Sequence, residues 1–354
     1  MDRVRGLLVI LALLLAPAAA GAQSPDPPGH DPTLIRQGDW WYTITTSEGD
    51  LARRYLPVQR TRDLVHWEPA GVVFGVPPAW IVQQIGTLPT DLWAPDLSFF
   101  GGRYHVYYAA SHTGVNNSAI GLATSATLDP QDPAYGWRDE GMVVRSTPGV
   151  DDFNAIDPEV VLDEAGRPWL AYGSYWTGIK LVALDPATGR PTGPVHAIAS
   201  RPAPSAIEAP TIVRRDGWYY LFVSFDHCCR GVASDYRVVV GRSRSITGPY
   251  LDRTGVPMAA GGGSDLLRGY GRFAGPGHQD VLLDERGDLL IHHYYDRDEG
   301  GRARLSVRDV AWVDGWPAVG APVSELQPLG RQPVAAPQVA PPFTAPFGTP
   351  VPPG

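Results

Sequence analysis

Apolar and polar positions along the chain repeat as a two-strand unit that occurs five times. Each unit opens with one residue, continues with a short apolar run, turns at a glycine, and returns as a run in which aromatic and smaller residues alternate. The units open at Asp31, Ala94, Asp157, Ala209 and His278, and the first four have proline next. Glycine supplies the positive φ of tight turns, and alternation is typical of strands. The pattern therefore predicts five β-hairpins at equivalent places in a repeated structure.

The spacing of the units favours a propeller over a β-sandwich. The four prolines are at positions 32, 95, 158 and 210, so consecutive units are 63, 63 and 52 residues apart. This is somewhat longer than the roughly 40–50 residues of a minimal propeller blade and leaves room for long loops. A sandwich does not explain why one kind of residue opens every unit, whereas the innermost strands of propeller blades all face one channel. We expect an all-β, five-bladed β-propeller.

The two ends of the chain differ from this pattern. Residues 1–22 combine a charged start, an apolar run too short to span a bilayer, and a small-residue cleavage site. This is typical of a signal peptide, which we expect to be cut near Ala22 to give a periplasmic or extracellular protein. Residues 328–354 are rich in Pro, Ala and Val without alternation, which indicates an extended or disordered tail. The propeller domain is therefore expected over residues 23–327.

Charge and cysteine content narrow the possible partners. The formal net charge is −8, and it becomes −9 once residues 1–22 are removed. An acidic exported protein is a poor binder of nucleic acid and suits a neutral polysaccharide, and we expect a monomer with no membrane partner. The two cysteines, Cys228 and Cys229, are adjacent. They either close a strained small ring or stay reduced, and in both cases the core must come from packing.

Three carboxylates lie at or just before the start of three units: Asp31, Asp157 and Glu208. In a propeller, all three meet near the channel mouth. Cleavage of a glycosidic bond needs one acid to protonate the leaving oxygen and one base to deprotonate a water. Clustered carboxylates push their pKa values apart, which permits both duties at once. The three acids therefore predict glycoside hydrolysis, without separating their roles, and Trp93 and Trp176 either offer flat faces to sugar rings or pack in the core.

A series of short segments carries a family resemblance. They are residues 30–32 (HDP), 92–96 (LWAPD), 117–121 (NSAIG), 154–158 (NAIDP), 173–181 (GSYWTGIKL), 206–210 (AIEAP), 224–231 (SFDHCCRG) and 275–278 (GPGH). With these segments in this order, residues from about His30 to Pro317 resemble the arabinanases of glycoside hydrolase family 43. The resemblance implies a five-bladed propeller that inverts the anomeric centre.

The resemblance also assigns roles to the three acids and to one histidine. It implies that Asp31 is the general base, Glu208 the general acid, and Asp157 the residue that tunes the pKa of Glu208 and orients it. Inversion requires the acid and the base to be about 6.5–9.5 Å apart, with room for a water between them. The resemblance further implies that His278 contacts a metal, usually calcium, whose other ligands are waters because calcium prefers oxygen.

Further residues in the matching segments are expected to bind substrate: Trp93, Asn154, Ser174, Trp176 and Phe225. Three polar residues outside this set are expected to have structural roles. His292 and His293 lie in a strand-like run, and Asp96 has a first-strand position where it can satisfy backbone groups.

The implied substrate is α-1,5-linked arabinan, including the arabinan side chains of pectin. The segment from Phe225 to Gly231 favours internal cleavage, because it is typical of the endo-acting members. The loop from Pro77 to Thr90 varies in the family and leaves cleavage at chain ends open. The alternatives are an exo-acting α-L-arabinofuranosidase or β-xylosidase, and a non-catalytic sugar-binding propeller, which would have no need for all three acids.

Overall fold

The computed structural model describes residues 24, 26–47, 54–202 and 204–326, and these form five four-stranded antiparallel sheets. In every sheet the strands that are neighbours in space are consecutive in the chain. The prediction of a five-bladed β-propeller is confirmed. The expected signal peptide and the expected tail lie outside the described residues. Within those residues no helix has the length and apolar character needed to cross a membrane.

The strands are grouped by sheet in chain order. The first sheet contains β1 (Ile35–Gln37), β2 (Trp40–Ile44), β3 (Tyr55–Thr61) and β4 (Glu68–Phe74). The second contains β5 (Trp93–Phe100), β6 (Arg103–Ala110), β7 (Ser118–Ser125) and β8 (Arg138–Ser146). The third contains β9 (Glu159–Leu162), β10 (Pro168–Tyr172), β11 (Ile179–Leu184) and β12 (Pro191–Ala199).

The last two sheets continue this order. The fourth contains β13 (Ile207–Arg215), β14 (Trp218–Phe225), β15 (Arg237–Ser243) and β16 (Ser264–Leu267). The fifth contains β17 (Phe273–Leu282), β18 (Leu289–Asp296), β19 (Arg302–Val313) and β20 (Trp316–Pro322). Two short helices, α1 (Trp80–Ile85) and α2 (Val323–Leu326), lie outside the sheets.

The sequence repeat corresponds to the first hairpin of each sheet. The five opening residues all have left-handed backbones: Asp31 (φ 51°), Ala94 (φ 46°), Asp157 (φ 54°), Ala209 (φ 52°) and His278 (φ 48°). Non-glycine residues rarely adopt this conformation, which clusters at functional sites. In the second, fourth and fifth sheets the strand pairing shifts register across this residue. Such bulges re-aim side chains, and in these three sheets they occur at the equivalent position of the first strand.

The hydrophobic core is divided into five clusters, and each joins two successive sheets. Tyr42 with Tyr108 marks the contact between the first and second sheets, and Leu122 with Leu170 marks the next. The other clusters join the third sheet to the fourth, the fourth to the fifth, and the fifth back to the first. The ring is therefore closed by apolar packing at every interface.

A segment at the start of the described chain strengthens the last interface. The N–H of Leu305 in β19 donates to the carbonyl of Pro27 (2.9 Å), and Pro28 forms a β-bridge with Arg304. The Asp26 carboxylate accepts hydrogen bonds from Arg272 (3.0 Å) and from the Tyr294 hydroxyl (2.8 Å). These contacts fix the segment before Asp31 to the fifth sheet, and so position the first opening residue relative to the last.

Candidate active site

The three predicted acids come together from three sheets. Asp31 and Asp157 are themselves left-handed opening residues, and Glu208 directly precedes the left-handed Ala209. The N–H of Ala209 donates to Asp157 Oδ2 (3.1 Å), which links the third sheet to the fourth. The charges of Glu208 and Asp31 both raise the pKa of Asp157, after the larger effect of burial. The structure therefore groups these three residues as the sequence predicts.

The carboxylate of Asp31 is surrounded by one hydroxyl and three imidazoles. Its Oδ2 accepts from the hydroxyl of Thr46 (2.6 Å). Its Oδ1 lies near the Nδ1 atoms of His30 (2.8 Å), His278 (3.1 Å) and His293 (3.3 Å). Three imidazoles from three parts of the chain thus converge on one oxygen, which fixes the orientation of this carboxylate.

This environment decides the charge of Asp31. Burial alone raises the pKa of the carboxyl, but the attraction of His30 and His278 and the hydrogen bond to His293 outweigh it. The pKa of Asp31 therefore lies well below its ordinary value. A carboxylate that stays ionised is suited to act as a base.

The pKa of Glu208 is shifted in the opposite direction to that of Asp31. Burial raises the pKa of its carboxyl above the ordinary value, and the negative charge of Asp31 adds to this. The Ser174 hydroxyl donates to Glu208 Oε2 (2.7 Å), and this bond lowers the pKa and partly offsets the rise. The buried Tyr236 lies beside Glu208 and acts in the same direction as Ser174. A carboxyl group that holds its proton is suited to act as an acid.

The structure places the predicted substrate residues in two kinds of environment. Trp176 is 40% exposed and has a left-handed backbone (φ 38°), so its ring is available to a ligand. Trp93 is partly buried and directly precedes the opening residue Ala94. Ser174 is buried and bound to Glu208, so it positions the acid. Asn154 is also buried, and its Oδ1 accepts from Ser118 (2.6 Å).

Phe225 differs from the prediction. It is 3% exposed and belongs to the core between the third and fourth sheets. The guanidinium groups of Arg201 and Arg237 lie 4.5 and 5.3 Å from its ring centroid. Phe225 is therefore enclosed by its own chain, and the structure does not present it as a platform for a sugar ring.

Sequence reasoning missed several residues of the site. His293 was expected to be structural, but it is fully buried beside Asp31 and is opposite Gly277 in the pairing of β17 with β18. Burial lowers the pKa of His293 to about 3, so its imidazole is neutral. Thr46 and Tyr236 have no motif that marks them. Only the strand register brings these side chains to the acids.

A second group of acids lies two residues further along the first strands. Asp96 and Glu159 are buried and Asp280 is partly buried, and we call these three acids the second acid layer. Burial raises the pKa of Asp96 to about 7 and that of Asp280 to about 6, and it raises the pKa of Glu159 strongly. Asp280 Oδ2 accepts from the N–H of Leu34 (2.5 Å) and the hydroxyl of Thr33 (3.1 Å). Asp96, expected to satisfy only backbone groups, also lies close enough to Glu159 for its charge to raise the pKa of that carboxyl.

The two cysteines are joined in a disulfide, which decides between the two alternatives left by the sequence. The two cysteines lie beside His30, the residue that directly precedes Asp31. The Tyr295 hydroxyl accepts from the N–H of Cys229 (2.9 Å) and lies 2.7 Å from His30 Nε2. When that hydroxyl donates its own proton to Nε2, the proton of His30 is on Nδ1 and faces Asp31.

The residue expected to hold calcium has features that fit a hydrated cation. Burial lowers the pKa of His278, so the imidazole is neutral and able to act as a ligand. Its Nδ1 faces Asp31, which leaves Nε2 as the ligand atom. One nitrogen, with waters in the remaining positions, suits calcium, because calcium prefers oxygen ligands.

An ionised carboxylate and a protonated carboxyl group at one channel mouth are the pair that cleavage of a glycosidic bond requires. The fold and the site thus define a propeller of the glycoside hydrolase class. The comparison with known families agrees, since the model of glycosyl hydrolases family 43 matches residues 28–317. The chain belongs to this family, as the sequence segments predicted.

Characterised relatives cover most of the chain. The extracellular endo-alpha-(1->5)-L-arabinanase 1 of Bacillus subtilis (strain 168) is 44% identical over 290 residues, 82% of this chain and 87% of that protein. The extracellular exo-alpha-(1->5)-L-arabinofuranosidase of Cellvibrio japonicus (strain Ueda107) is 39% identical over 325 residues, 88% of this chain and 91% of that protein. Among solved structures, the endo-arabinanase of Bacillus licheniformis has a TM-score of 0.77 at 46% identity and covers 83% of this chain and 98% of that one.

Proposed function

We propose that this protein hydrolyses internal α-1,5-L-arabinofuranosidic bonds of arabinan with inversion at the anomeric centre. The observation that carries the proposal is the opposite direction of two pKa shifts at one site. The pKa of Asp31 is lowered and that of Glu208 is raised. One group is therefore ready to accept a proton while the other is ready to donate one.

In the proposed reaction, Asp31 removes a proton from a water that attacks the anomeric carbon. Glu208 protonates the oxygen of the departing sugar from the opposite side. Asp157 orients the acid through the N–H of Ala209, the residue after Glu208. We expect its carboxyl also to tune the pKa of the acid. We expect the carboxyl groups of Asp31 and Glu208 to be about 6.5–9.5 Å apart, which leaves space for the water.

The relatives support the substrate. One is named an endo-acting arabinanase and another an exo-acting arabinofuranosidase, so both act on α-1,5 linkages by name. A solved structure of the Cellvibrio cellulosa α-L-arabinanase, 36% identical over 83% of this chain, contains arabinohexaose. We favour internal cleavage because the relatives at 44% and 46% identity are both named as endo-acting.

The decisive experiment is a timed digest of linear, debranched α-1,5-arabinan, followed by viscosity and product chromatography. An early fall in viscosity with a ladder of oligosaccharides is expected. Arabinose as the sole early product would instead support an exo-acting α-L-arabinofuranosidase. Cleavage of β-xylosides would support the β-xylosidase alternative. A protein that binds arabinan but releases no product would be the sugar-binding propeller.

Calcium at His278 is a second part of the proposal. The neutral imidazole supplies one ligand and waters supply the others, and the ion would favour negative charge near the site. Exhaustive chelation should lower both activity and melting temperature, and added calcium should restore them. Unchanged values of both after chelation would exclude a functional ion.

We also propose that the protein is exported after cleavage near Ala22 and acts as a monomer on arabinan, including the arabinan of pectin. Two characterised relatives are described as extracellular. Mass spectrometry of the protein recovered from the medium or periplasm tests the cleavage site. Light scattering during gel filtration tests the monomer.

A further inference from the structure

Thr46 contacts the base, the residue before the base and the start of the second sheet. Its backbone N–H donates to the carbonyl of His30 (2.9 Å). Its hydroxyl donates to Asp31 Oδ2 (2.6 Å) and accepts the N–H of Ala94 (2.8 Å), the opening residue of the second unit. Because a backbone N–H is a donor and an ionised carboxylate is an acceptor, the proton of the Thr46 hydroxyl points at Asp31. The chain itself therefore fixes the direction of this hydrogen bond.

The contact between Thr46 and the second unit recurs at two other places in the ring. Thr46, Ser224 and His293 each lie 15 residues after the opening residue of their own unit. Each accepts the N–H of the next opening residue around the ring: Thr46 from Ala94 (2.8 Å), Ser224 from His278 (2.9 Å) and His293 from Asp31 (3.2 Å). This position of the unit is therefore a junction at which one sheet holds the start of the next.

Thr46 differs from Ser224 in the group that receives its hydroxyl proton. The Ser224 hydroxyl donates to the side-chain oxygen of Gln279 (3.0 Å), a buried neutral amide of the fifth sheet. The Thr46 hydroxyl donates to the carboxylate of Asp31 instead, and the distance is shorter, at 2.6 Å. Hydrogen bonds to an ionised group are shorter and roughly twice as strong as those between neutral groups. The junction between the first and second sheets is therefore also a strong contact to the base.

We propose, on the basis of the function proposed above for Asp31, that Thr46 is a positioning residue for the general base. Oδ1 of Asp31 faces the imidazoles of His30 and His278, at 2.8 and 3.1 Å. Thr46 binds Oδ2, and since a carboxylate oxygen has two lone pairs, the other is directed at the attacking water. That water gives its proton to Oδ2 while its oxygen bonds to the anomeric carbon, and the departing sugar oxygen takes the proton of Glu208.

Two substitutions at Thr46 separate the effect of the hydroxyl from that of the side-chain shape. Thr46→Val has nearly the same shape without a hydroxyl, whereas Thr46→Ser keeps the hydroxyl. The matched control is Thr43→Val, because the Thr43 hydroxyl is buried in the same sheet and has no hydrogen-bond partner among the described residues. These variants and Asp31→Asn are assayed on linear arabinan and on an aryl arabinoside, well below their melting temperatures.

Thr46→Val should lower kcat by about 10–100-fold and change KM by less than about 3-fold, because the hydroxyl acts on the base and not on substrate binding. The loss should be equal for the two substrates, since attack by water is needed whatever the leaving group. Thr46→Ser and Thr43→Val should stay within about 3-fold of wild type in both constants.

Full activity of Thr46→Val, a loss confined to KM, or no recovery in Thr46→Ser would each overturn the positioning role and leave the function of Asp31 intact. A lower melting temperature with unchanged kcat would show that Thr46 is only structural. If wild type cleaves neither substrate, or if Asp31→Asn is fully active, the proposed function fails and the positioning role fails with it. Should Thr46→Val not fold, Thr46→Ala replaces it in the same comparison with Thr46→Ser.

Discussion

Two groups of buried acids are built from the same repeat, and they behave differently. The catalytic group consists of Asp31, Asp157 and Glu208, whereas the second acid layer lies two residues further along the first strands. In the catalytic group imidazoles surround one member, so the pKa of Asp31 falls while that of Glu208 rises. In the second acid layer the pKa of all three carboxyls rises. Burial alone thus raises the pKa of an acid, and an acid that must stay ionised needs partners such as the imidazoles beside Asp31.

The largest expected effect is that of removing the base. Asp31→Asn keeps the shape but cannot accept a proton from water, and we expect kcat/KM on linear arabinan to fall about 10²–10⁴-fold. The control is Asp280→Asn, in the second acid layer, which should retain activity within about 10-fold. Comparable losses in the two variants would remove the distinction between the two groups.

Replacing the acid should produce a loss that depends on the leaving group. Glu208→Gln cannot donate a proton, so we expect cleavage of arabinan to fall about 10²–10⁴-fold. An aryl arabinoside with a good leaving group needs little protonation and should be cleaved with a much smaller loss. If the two substrates lose activity equally, Glu208 is not the general acid.

A smaller effect should appear in the pH profile. Activity requires Asp31 ionised and Glu208 protonated, so kcat/KM should rise through the low pKa of Asp31 and fall through the raised pKa of Glu208. The Ser174 hydroxyl stabilises the ionised form of Glu208. Ser174→Ala should therefore move the alkaline limb upward by about one pH unit and leave the acid limb in place. A downward shift would contradict the assignment of this limb to Glu208.

The smallest effect concerns stability. The folded-state pKa of Asp96 is raised to about 7, so its stabilising contribution is complete below the unfolded pKa of about 4 and is lost as pH rises through 7. Asp96→Asn stays neutral at every pH. The melting temperature of the variant minus that of wild type should therefore be higher at pH 8 than at pH 4, by about 3 °C or more. A difference that does not change with pH would show that Asp96 is not protonated in the folded protein.

The sequence predicted the features that recur in its repeat. It missed the side-chain contacts that depend on strand register. The left-handed opening residues recur at a period that can be read from the chain, so the propeller and the three acids were predictable. His293 reaches Asp31 from β18, which forms the fifth sheet with β17, and Tyr295 is two residues further along β18. Neither has a local motif. Phe225 was assigned to substrate because it lies in a matching segment, but the segment does not reveal which way the ring points.

The attachment of Asp26, Pro27 and Pro28 to the fifth sheet sets the order in which the molecule can be completed. During synthesis these residues emerge long before their partners at Arg272, Tyr294 and Leu305. The ring cannot close, and Asp31 cannot meet His278 and His293, until nearly all of the propeller has left the ribosome. Completion of the environment of the catalytic base thus reports that all five sheets have formed, and a product truncated before the fifth sheet would be inactive even though it carries all three catalytic acids.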